Sequence, residues 1–163
     1  MRLVSFVVLA SCAGEAQSVV PTAPVQQLMA AGEGLAGNRL AVAAPMIFES
    51  AALAKLAAAT SANAAELQRV AAQGARPIRV LSTQEAVRCG ASGVDCSVAD
   101  GGLFVRIDSS SNHAQRLTLY VTFIVGEVRP SGARATCTLP VRLLFDRQGD
   151  KWQAGEPLPS QRC

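Results

Sequence analysis

From Leu103 onward the chain alternates apolar and polar residues with a period of two. Leu103, Val105 and Ile107 are interleaved with Phe104, Arg106 and Asp108. Leu117, Leu119, Val121, Phe123 and Val125 are interleaved with Arg116, Thr118, Tyr120, Thr122 and Ile124. Ala135, Cys137, Leu139, Val141, Leu143 and Phe145 are interleaved with Arg134, Thr136, Thr138, Pro140 and Arg142. Successive strand residues point to opposite faces, so this pattern predicts antiparallel strands buried on one side. Ser109–His113, Arg129–Ala133 and Arg147–Asp150 read as the intervening turns, and a short last strand carries Trp152. Pro140 lacks a ladder donor, which puts a bulge or an edge at its position.

The N-terminal half has a helical period instead. Pro45 suits a first helical position, and Met46–Ala59 is rich in Ala, Leu, Glu and Lys, with Phe48, Ala52 and Leu56 on one face. Asn63 and Glu66 stand at cap-like spacing before a second helix with Leu67, Val70 and Ala71 as its buried stripe, stopped at Gly74. Pro77–Leu81 reads as a short strand, and Ser82 with Glu85 forms a capping-box pattern opening a brief helix that ends near Cys89. Residues 17–44 mix Pro, Gly, Ala and Gln without a sustained period and read as a tether, with room for a short helix at Val25–Ala31. Helices first and strands second predict an α+β fold, with N-terminal helices packed on a curved antiparallel meander of about four strands.

The first residues carry a different signal. Met1-Arg2 supplies a positive charge, Leu3–Ala10 is an apolar run broken only by Ser5, and Ser11, Cys12, Ala13 and Gly14 are small. That order is the order of a secretory signal, and the run is too short to span a bilayer. Leu9-Ala10-Ser11-Cys12 resembles the bacterial lipobox, which implies cleavage before Cys12, acylation of its thiol and attachment to a membrane. Ala13 after it resembles the pattern that sorts lipoproteins to the outer membrane. The competing readings are ordinary cleavage after Ala16, giving a soluble periplasmic or secreted protein, and a buried N-terminal element. The expected division is therefore a signal at 1–16, a tether at 17–44 and one domain at 45–163.

Half of the 163 residues are hydrophobic, but only five Phe, one Tyr and one Trp are present, so the core is aliphatic. The net charge of +3 is dispersed, without the basic stripe expected of a nucleic-acid partner. Of five cysteines, removal of Cys12 leaves Cys89, Cys96, Cys137 and Cys163, an even number suited to an oxidising compartment. Three pairings are open; the loop-like GASGVD between them favours Cys89–Cys96, which would leave Cys137–Cys163. C-x6-C spacing with a single histidine, His113, is not a zinc or thioredoxin pattern, so no metal or cofactor is expected.

The element order, ending in FDRQGDKWQ with Phe145 and Trp152 about a charged turn, resembles the nuclear-transport-factor-2-like, cystatin-like α+β fold over residues 45–157. The resemblance implies a cone-shaped pocket between helices and sheet, which its enzymes line with Asp, His, Tyr or Arg. Those residues are poorly supplied here. His113 and Ser109–Ser111 read as turn residues, Asp95 and Asp100 as loop residues, Asp108 as a solvated sheet residue, and Trp152 as a core anchor. Arg88, Arg106, Arg116, Arg134 and Arg142 would make an anion site if they converged, and the last four share the outward face. The expected function is a non-catalytic, exported envelope module binding a protein partner or itself. Its possible binding face is formed by Arg106, Arg116, Tyr120, Arg134 and Arg142. The alternative is a ligand-binding or hydrolytic domain using the cone pocket.

Overall fold

The computed structural model describes residues 22–37, 40, 41, 43–91, 95–128, 134–149 and 151–155. The predicted signal at 1–16 and Cys163 lie outside them. The chain is α+β, but among the described residues its main sheet has six strands rather than about four, and a separate two-stranded hairpin accompanies it. The elements in order are α1 (Thr22–Ala36), β1 (Met46–Glu49), α2 (Ala52–Thr60), α3 (Ala64–Ala72), β2 (Ile78–Leu81), α4 (Thr83–Ala86), β3 (Val87–Cys89), β4 (Cys96–Val98), β5 (Leu103–His113), β6 (Arg116–Val128), β7 (Arg134–Gln148) and β8 (Lys151–Ala154). The large sheet runs β2-β1-β5-β6-β7-β8. β5 to β8 form the expected antiparallel meander, whereas β1 pairs in parallel with both β2 and β5. The α2–α3 pair makes the helical crossover that a parallel β1–β2 pairing requires.

Two expectations in the N-terminal half are corrected. The segment after Pro45 opens with a strand, and its helix starts only at Ala52. Met46, Ile47 and Phe48 are all fully buried, because a strand with neighbours on both sides and packing on both faces shows no alternation. A short continuous apolar run of that kind looks the same as the start of a buried helix. The stretch expected as a tether contains α1, which is longer than the suggested 25–31 helix and is built into the core through Val25, Leu28 and Met29. Gly32 completes that i, i+3, i+4, i+7 stripe: a Cβ there would stand 2.7 Å from Leu103 Cδ2 and 2.9 Å from Phe123 Cε1.

Local capping follows the sequence. Asn63 Oδ1 accepts from the Ala65 N–H at 2.9 Å, and Leu67 and Ala71 are the buried face of α3. The Ser82–Glu85 capping box is formed, but α4 ends at Ala86 and the backbone is extended by Val87, so the helix stops short of Cys89.

The predicted Ser109–His113 turn is strand. Those residues pair with Arg116–Tyr120, and the chain reverses at Ala114-Gln115, with Ala114 at φ 53. Here the ladder extends past the core, so its side chains are polar while its backbone is fully sheet. Asp108 sits in a bulge between Ile107 and Ser109, which shifts the facing of everything after it. Pro140 lies where β7 has β6 on one side only, since β8 covers just Phe145–Gln148.

One face of the sheet carries the main core, in which Leu103, Val105, Ile107, Leu117 to Val125 on alternate positions, and Leu139 to Phe145 meet α1, α2 and α3. A smaller cluster, Ile47, Ala86, Val98, Phe104 and Ile124, occupies the opposite face beneath α4 and the β3–β4 hairpin.

Candidate functional site

On the side of the sheet facing the helices, the polar contacts among the described residues are structural: Asn112 Nδ2 donates to the Ala59 carbonyl at 3.1 Å and Lys55 Nζ to the Ile107 carbonyl at 2.7 Å. The rest of that side is mostly the apolar core, and Trp152 belongs to it, 7% exposed, with the Arg147 guanidinium 5.9 Å from the ring centroid. Among the described residues no group of three or more His, Cys, Asp or Glu is placed to hold a metal, and no helix is long and apolar enough to cross a membrane.

The outward face is where the candidate residues lie. Asp108 is occupied structurally: Oδ1 accepts from Arg106 Nε at 2.7 Å and Oδ2 from the Thr122 hydroxyl at 2.6 Å. Arg116 Nε donates to Asp146 Oδ1 at 2.8 Å across the β6–β7 ladder, which raises the Arg116 pKa further above its ordinary value. His113 stands opposite Arg116 at the hairpin end and is exposed. Tyr120, 44% exposed, pairs with Arg142, which makes no ion pair among the described residues. The four strand arginines share a face but do not converge. Arg116 opens β6 and Arg134, the first residue of β7, pairs with Val128 at the far end of β6, roughly 40 Å of strand away at the ~3.3 Å rise per residue.

The site that does form is at the upper end of this face, where the β3–β4 hairpin lies over β6 and β7. Cys89 and Cys96 are register partners on the hairpin and are joined by a disulfide. Between hairpin and sheet is an open cleft of about 740 Å³ whose walls include Arg79, Arg88, Asp100, Gly101, Gly126 and Arg134. Glu85 also borders it, but its carboxylate is turned back into the α4 cap. The Ser82 backbone N–H, then its hydroxyl, hold Glu85 below the usual carboxylate range, with Arg88 adding a smaller effect. Asp100 is taken by Arg79. Asp95, the third carboxylate singled out in the sequence, accepts the Arg134 backbone N–H at 3.0 Å and so ties the start of β7 to the hairpin.

Arg88 and Arg134 were legible in the sequence as candidate anion ligands, but the cleft that joins them was not. The readable signal was Phe104 and Ile124, apolar residues at outward positions, which required a cover over that end of the sheet. Cys137 is half-buried against the main core and is disulfide-bonded; its expected partner, Cys163, lies outside the described residues. Compared with known proteins, the chain matches no protein-family model, no curated protein and no solved structure.

Proposed function

We propose that the protein is an exported, non-catalytic binding module of a bacterial-type envelope, anchored through Cys12 and making its contacts with the sheet face turned away from the helices. The observation that carries this reading is the division between the two faces. The helix-facing side is packed with apolar side chains, while the opposite side bears exposed Tyr120, Arg142 and an open cleft. The disulfide between Cys89 and Cys96 supports an oxidising compartment. A ligand-binding or hydrolytic cone between helices and sheet gains no support, since the carboxylates the sequence offers are each engaged on the outer side.

The test is the intact mass of the protein recovered from membranes of the native host. The expected mass starts at Cys12, includes acyl chains and lacks free thiols at Cys89 and Cys96. In the same preparation, hydrogen exchange at Tyr120 and Arg142 is expected to slow when the isolated envelope is added. A cytosolic product beginning at Met1 with reduced cysteines would sink the proposal.

A further inference from the structure

We propose that the cleft between the β3–β4 hairpin and the upper end of β6–β7 is a binding site for a small molecule carrying paired oxyanion groups, phosphate or carboxylate, gripped by Arg88 and Arg134. This deepens the reading of the protein as a binding module and rests on it.

Three arginines and two carboxylates border the cleft, an excess of one positive charge: Asp100 is paired with Arg79, and Glu85 accepts from the Ser82 backbone and hydroxyl while its charge also acts on Arg88. Arg134 makes no ion pair or side-chain hydrogen bond among the described residues, and Arg88 meets Glu85 through its charge alone, with no hydrogen bond between them, so both guanidinium edges remain open to a ligand. A guanidinium is a planar fork that matches a carboxylate or phosphate edge with two parallel hydrogen bonds. Two such forks on one recess select a ligand with two anionic groups over one with a single charge.

The backbone segments that carry the two arginines are also tied to each other. Arg88 precedes Cys89, whose disulfide partner Cys96 follows Asp95, and Asp95 Oδ1 holds the Arg134 N–H at 3.0 Å. The hairpin and β7 are thus linked by one covalent bond and one charge-assisted hydrogen bond, which lowers the ordering cost of closing on a ligand. The cleft is open at two glycines. Nothing lies within 4 Å of where a Cβ would stand at Gly126 or at Gly101, the latter at φ +62. A ligand can approach the backbone at both. About 740 Å³ is a volume typical of small-molecule sites.

The experiment titrates the full-length, oxidised protein with pyrophosphate and, separately, citrate at constant ionic strength, following backbone amides by NMR. Saturable shifts confined to Arg88, Ser97–Gly101, Gly126 and Arg134 are expected with at least one probe, and which probe binds decides between phosphate and carboxylate. R88A and R134A should each weaken binding about tenfold, the loss of roughly one charge-assisted contact, and R88K should fall between. Neutral glucose should give no shifts. The proposal is overturned if neither probe saturates by about 10 mM, or if R88A and R134A bind like the parent. A failure here with Tyr120 and Arg142 still protected by the envelope removes the cleft alone; binding here by a protein found cytosolic removes the export reading alone.

Discussion

Asn63 shows how one side chain sets an element boundary. Its Oδ1 satisfies the Ala65 N–H, one of the donors that α3 leaves open at its first turn. Asn63→Ala is therefore expected to cost about 1 kcal/mol in urea denaturation, and an unchanged midpoint would contradict the cap. Glu85 is the second such residue and adds a pH signature. Its folded pKa is depressed, so its stabilisation is present above the ordinary carboxylate range and is lost as pH falls through the lowered value. In a carboxyl NMR titration Glu85 should have a midpoint below that of an unperturbed glutamate. Ser82→Ala should raise it only part of the way, because the Ser82 backbone N–H remains and is the larger cause. Recovery of the full ordinary midpoint in Ser82→Ala would mean that the hydroxyl alone sets it.

At the scale of elements, the caps and the inward register were legible because each depends on a few residues close in sequence. Asn63, the Ser82–Glu85 pair and the alternation from Leu117 to Val125 all belong to this class. Elements that depend on distant neighbours were not legible. β1 has paired edges because β2 and β5 flank it, and buried faces because the main core takes Met46 and Phe48 while the α4–hairpin layer covers Ile47. α1 was hidden for a different reason: the fourth residue of its buried stripe is Gly32, chosen for close approach to Leu103 and Phe123 and carrying no hydrophobic signal. Leu28→Ala separates a core helix from a tether. Leu28 is fully buried, so truncation should cost about 2–5 kcal/mol in chemical denaturation, whereas a residue in a solvated linker would cost almost nothing. Of the cleft, the arginines were legible and their meeting was not, since it requires the hairpin to fold back over strands that follow it in the chain.

Over the whole molecule, the Cys89–Cys96 disulfide joins location, stability and the cleft. The hairpin it closes covers the outer cluster of Ile47, Phe104 and Ile124, and also carries Arg88. On the chain-entropy model, a loop of this length contributes about 2.5 kcal/mol. Reductant is a poor way to test that, because Cys137 is disulfide-bonded as well and both bridges would open together. The double substitution C89S/C96S isolates the hairpin. It is expected to lower stability by about that amount while leaving the far-UV spectrum of the six-stranded sheet in place, since none of its strands contains either cysteine. With the cover loosened, Phe104 and Ile124 become accessible, so binding of a hydrophobic dye should rise below the unfolding transition. An unchanged denaturation midpoint together with unchanged dye binding would mean that β3–β4 holds its place without the covalent link, and an oxidising compartment would then no longer be needed for the fold.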